Sequence, residues 1–121
     1  MKKFVALYQM PASAIDNWKN TTSDEDKKKA QAEMMHAWMN WMQDNQKSIV
    51  EAGGPLGKTK RIGAQGPTDV RNDLTGYTIV QAETHEAAAK IFNGHPHFRM
   101  PQATVELMEL LPIPGAQQKA A

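Results

Sequence analysis

"TTSDEDKKKAQAEMMHAWMNWMQDNQKSIVEAGG", Thr21–Gly54, is the stretch on which the fold turns. It opens with helix-start chemistry: Thr22 with Glu25, or Ser23 with Asp26, has capping-box character, and Asp24, Glu25 and Asp26 suit the positive end of a helix dipole. Apolar and long side chains then recur at helical spacing, with Gln31, Met34, Met35, Trp38, Met39, Trp41 and Met42 on one broad stripe. His36 falls outside the stripe, nearer Lys29, Glu33, Asn40 and Gln43. The pattern predicts a helix to about Ala52, with Gly53-Gly54-Pro55 as left-handed cap and stop.

Upstream, "KKFVALYQM" alternates as a strand, Phe4, Ala6 and Tyr8 on one face and Val5 and Leu7 on the other. Both faces are apolar, so this strand belongs in the middle of a sheet. Pro11 ends it, and "PASAIDNWKN" reads as a short helix capped by Ser13, with Ile15 and Trp18 one turn apart. Downstream, "PLGKTKRIGA" is a basic strand whose Lys58 and Lys60 suit a sheet edge, and "QGPTDVRNDLTG" is a loop. "YTIVQAE" is a second central strand. Thr84 caps a short helix, "HEAAAKIF", that offers Ala87, Ala88, Ile91 and Phe92 to a sheet and ends at Gly94. "ATVELMELLPI" closes the pattern as a strand, Val105, Leu107 and Leu111 on one face and Glu106, Met108 and Leu110 on the other.

The order is β-α-β-β-α-β, a ferredoxin-like α+β fold: a four-stranded antiparallel sheet with helices on one face. One domain over residues 1–114 is expected, with 115–121 a flexible tail. Helices on one face leave the other uncovered, although its strands are apolar there too. A second copy packed sheet to sheet is the economical cover, so a homodimer is expected.

Composition narrows the partners. With 14 basic and 13 acidic residues and a net charge of +1, the chain carries no electrostatic footprint for nucleic acid. No cysteine is present, which excludes disulfides, thiolate metal sites and a cysteine nucleophile. The opening "MKKFVALYQMPASA" imitates a secretory signal, but Phe4–Tyr8 is shorter than the ~7–15 apolar residues such a segment needs. No run approaches the ~20 residues of a membrane span. A soluble, cytoplasmic protein is expected.

The chemistry-bearing residues concentrate in two places. "FNGHPHFRMP", Phe92–Pro101, fits a helix stop, since Gly94 and Pro96 both break helices. It also offers His95, His97 and Arg99 as donors to an anionic group at a cleft mouth. As a metal site His95 and His97 supply too few ligands, a third from His36 or His85 being speculative. His36 reads either as an exposed polar-face histidine or as a general base. The Met and Trp stripe reads as helix-on-sheet core, with Trp38 or Trp41 as the alternative wall of an apolar pocket. No phosphate loop, nucleophile elbow, zinc-protease helix or dinucleotide fingerprint occurs, and no cofactor or metal is expected.

In this order, the strand ending at Pro11, "EAGGPLG", "GYTIVQAETHEAAAKIF", the following "HP" and "ATVELMEL" together resemble the YCII-related group, which includes the DGPF-domain proteins, within the dimeric α+β barrel superfamily. The resemblance implies a small cytoplasmic dimer with a cleft beside the sheet, where some members are thought to pair a histidine with an aspartate for proton transfer. His36 matches the group's helical histidine. Where many relatives have an acidic residue before the proline, this chain has His95, and Gln65 and Thr68 replace the aspartate and phenylalanine of the DGPF motif. One implied function is cofactor-free proton transfer on a small organic acid or ring compound. His36 would be the base, with His95, His97, Arg99 and Trp38 binding the substrate. The alternative is a non-catalytic ligand-binding or accessory dimer.

Overall fold

The computed structural model of the chain describes residues 1–115; of the tail expected over 115–121, all but Gly115 lies outside the described residues. Strand β1 (Lys2–Gln9) leads through helix α1 (Ala12–Thr21) to helix α2 (Asp24–Asp44) and strand β2 (Ile49–Pro55). A hairpin of β3 (Thr59–Gly63) and β4 (Gly66–Val70) follows, then β5 (Leu74–Ala82), helix α3 (His85–Ile91), a 3-10 turn at Pro96–Arg99 and β6 (Thr104–Glu109). The four-stranded sheet has the order β2-β5-β1-β6, and all of its pairings are antiparallel. That is the ferredoxin-like arrangement, with a separate two-stranded hairpin inserted between its second and third strands.

Three local expectations need correction. The helix of the opening stretch ends at Asp44 and not near Ala52, and its last residues form the edge strand β2. The reason is chemical: helical apolar spacing stops at Met42, Asn45 caps the end by donating its side-chain N–H to the Trp41 carbonyl at 2.8 Å, and β-branched Ile49 and Val50 follow. Gly53 is left-handed as expected, at φ 69°, but as an irregularity within β2 and not as a helix cap. The basic segment then pairs with the stretch expected to be a loop: β3 and β4 join through Gly63 and Gly66, with Lys60 and Asp69 ion-paired at 2.7 Å. Finally, α1 begins at Ala12 behind Pro11 with no side-chain cap, and Ser13 lies inside it. The caps at Ser23 and Thr84 are as expected, each oxygen accepting from a backbone N–H three residues on.

The core lies on one face of the sheet. Phe4, Ala6 and Tyr8 of β1 and Val80 and Ala82 of β5 are buried against Trp41 of α2 and Ala88 and Phe92 at α3. Gln31, Met34, Met35 and Met39 of the stripe do not join it, and Met35 and Met39 are 65 % and 64 % exposed. Beneath that part of α2 lie Gly53, Gly54 and Gly76, which have no side chains to fill the space, and a cleft remains. The opposite face of the sheet carries Val5 beside Ile79 and Met108, and Leu7 beside Tyr77, none of them buried.

Candidate functional site

The site grows out of the short segment after α3. Gly94, at φ 71°, turns the chain, and His95 caps the 3-10 turn by accepting the His97 N–H on Nδ1 at 2.9 Å. This places the His95 ring under α2 between Trp38 and Trp41, with ring centroids 4.4 and 4.3 Å away, and leaves it 1 % exposed. Burial, with His97 adding to it, pushes its pKa down to about 4, so the ring is neutral near pH 7.

A neutral ring that accepts on Nδ1 must carry its proton on Nε2. Nε2–H therefore donates to the Tyr8 hydroxyl at 3.3 Å, Tyr8 donates to Thr78 Oγ1 at 2.8 Å, and Thr78 donates to the Ala52 carbonyl at 3.1 Å. Each group donates in the same direction. Burial, eased by the Thr78 bond, holds the Tyr8 pKa up at about 12, so it stays a phenol.

His97 is the same tautomer, fixed by different partners. Its Nε2 lies 2.9 Å from the Gln9 carbonyl and 3.0 Å from the Thr104 carbonyl, so Nε2 bears a proton, and in the neutral form of the ring the lone pair is on Nδ1. Among the described residues every fully buried side-chain nitrogen or oxygen has a partner; Nδ1 has none, so it is accessible. The ring lines the cleft under α2, about 650 Å³ in volume, with Tyr8, Trp38 and Trp18 as aromatic walls and Met34, Met42 and Met100 among the methionines.

A second cleft, of about 680 Å³, opens on the other flank of α2 and holds His36 and Arg99 with Glu33, Asn40, Asp44 and Lys90. His36 is exposed there. None of Asp16, Asp73 and Glu106, carboxylates that could have oriented it, lines that cleft: Asp16 accepts two bonds from Arg71 at 3.0 and 3.2 Å, and Glu106 accepts from Gln9. The five residues singled out in the sequence thus separate. Trp38 and His97 line the inner cleft, His36 and Arg99 the outer one, and His95 sits between them, reaching neither as an imidazolium donor. His85 is apart from all of these, its Nε2 bonded to the Leu107 carbonyl. Among the described residues no three histidine, aspartate or glutamate side chains gather as a metal site.

Sequence reasoning missed Tyr8 and Thr78 as polar members of the site. A signal for them exists. Thr78 falls on the inward face of β5 between Gly76 and Val80, where a hydroxyl is buried and must find partners, and Tyr8 is on the same face of the adjacent strand.

No family model matches the chain, and no curated protein matches it. Among solved structures it is similar to 5-chloro-2-hydroxyhydroquinone dehydrochlorinase (TftG) from Burkholderia phenoliruptrix AC1100 in complex with 2,5-dihydroxybenzoquinone. The two are 17 % identical over 88 % of this chain and 91 % of that one, with a TM-score of 0.43. What the site does follows from its own chemistry.

Proposed function

We propose that the chain is a YCII-like protein that binds a small ring compound in the inner cleft and moves a proton on it with His97, without a cofactor. One observation carries this reading: a histidine whose tautomer is pinned by backbone carbonyls, and whose other ring nitrogen has no partner, lines an aromatic, methionine-lined cleft. His97 replaces His36 as the base because His36 is solvated and lies in the other cleft. The non-catalytic reading also has an observation behind it. Carbonyls at Nε2 orient the ring but raise its basicity less than a carboxylate would.

Resorcinol in D2O separates the two readings by NMR. In the catalytic one, a ring O–H proton passes to Nδ1, a solvent deuteron adds at the ring carbon beside that oxygen, the same carbon gives its proton to solvent, which restores the aromatic ring, and Nδ1 returns a proton to the oxygen. Accelerated ring deuteration that disappears in His97→Gln and survives in His36→Ala is expected. Bound resorcinol that does not exchange would make the protein a binder.

We further propose that the uncovered face of the sheet packs on a second copy through Val5, Leu7, Ile79 and Met108. Ile79→Lys puts a charge at the centre of that face, and light scattering is expected to show a wild-type dimer and a monomeric variant. A wild-type monomer at micromolar concentration overturns it.

A further inference from the structure

Proton accounting at the inner cleft says more about the ligand than its shape does. Four side chains that line it carry a hydroxyl or imidazole proton, and each has spent it inside the protein. Tyr8 donates to Thr78, Tyr77 donates to the Glu51 carboxylate, Thr75 Oγ1 donates to the Tyr8 carbonyl at 3.1 Å, and His97 Nε2 donates to the Gln9 and Thr104 carbonyls. At His97, in the neutral form of the ring, what is left to a ligand is the lone pair on Nδ1. The donors that remain are the Trp18 and Trp38 indoles and the Gln31 amide on the helical wall, and all of them are uncharged.

Charge points the same way. Among the described residues no lysine, arginine, aspartate or glutamate lines this cleft. The cations of the region, Lys90 and Arg99, line the outer cleft on the far flank of α2. A carboxylate placed against these methionines and indoles would lose its hydration with no ionic partner to replace it.

We infer that the inner cleft selects a neutral ring bearing an O–H or N–H donor, of the phenol or azole class, delivered to His97 Nδ1, and that it rejects carboxylates. The inference rests on the reading of this cleft as the ligand site. It replaces the expectation of an anionic substrate held by Arg99, which the placement of Arg99 does not serve. A ring of the right shape that lacks the donor leaves Nδ1 covered and unpaired, a loss of about tenfold or more in affinity.

The test compares three ligands of one shape at pH 7 by NMR titration: 4-ethylphenol, 4-ethylanisole and 4-ethylbenzoate. The phenol is expected to bind at least about tenfold more tightly than the anisole, with the benzoate weakest. In His97→Gln the amide nitrogen can still donate to the two carbonyls where Nε2 did, but no atom replaces Nδ1. Phenol and anisole should then bind alike. Equal affinities on the wild-type protein, a preference for the benzoate, or discrimination that survives in His97→Gln each overturn the inference while leaving the cleft a ligand site. If none of the three binds, the cleft reading falls and the inference with it.

Discussion

Gly53→Ala is expected to cost about 3 kcal/mol or more of the ~5–15 kcal/mol that holds a domain of this size together. Gly53 has φ 69°, a conformation that costs an alanine about 1–2 kcal/mol by itself. The larger penalty is steric. A Cβ at this position would overlap the Tyr77 carbonyl oxygen and lie 2.8 Å from the carbonyl carbon, and these are backbone atoms of β5 that no rotamer change can move aside. The strand β2 would have to leave β5 where Gly54 pairs with Tyr77. Because Gly53 and Gly54 also line the inner cleft, ligand binding should be lost with stability. Gly54→Ala is the control: a Cβ there meets nothing within 4 Å and its φ is not left-handed, so urea unfolding should find its cost below about 1 kcal/mol. Equal losses in the two variants would show that the Tyr77 carbonyl is not the obstacle.

That glycine also shows how far the sequence could be followed. Short runs apolar on both faces in "KKFVALYQM" and "YTIVQAE" pointed to two central strands, and capping residues at Ser23 and Thr84 located two helix starts, because these signals are local. The end of α2 was not legible. Gly-Gly-Pro is as good a helix stop as it is a strand irregularity, and only the carbonyl of Tyr77, distant in sequence, decides which job the glycine does. The candidate site was legible in part. "HPH" marked the right segment, yet which of its two buried histidines lines a cleft depends on Trp38 and Trp41 of α2 lying across His95. The split of His36 and Arg99 from His97 follows from the helix having two flanks, and spacing along the chain does not say which flank carries a cleft.

Acid is expected to destabilise the protein through His95 before its carboxylates titrate. The native ring has a pKa of about 4, whereas the unfolded chain's histidine titrates near 6.5, so between these values the unfolded state binds the additional proton. The stability that comes from keeping the ring neutral is fully present above pH 6.5. It is lost as pH falls toward 4 and amounts to roughly 2–3 kcal/mol by the bottom of that window. His95→Asn isolates the effect. An asparagine oxygen can accept the His97 N–H where Nδ1 did, but it does not titrate and cannot reach Tyr8. At pH 7.5 the variant should be less stable than wild type by about 1–3 kcal/mol, for the lost Tyr8 bond and the lost volume. Near pH 4.5 the gap should close, because only the wild type has been losing stability through this ring. Urea unfolding at both pH values decides it, and parallel pH curves for the two proteins would show that His95 is not the titrating group. The site is tied to the same event. A proton on Nδ1 ends its bond with the His97 N–H, frees the 3-10 turn that carries His97, and removes the fixed geometry on which proton transfer in the inner cleft depends.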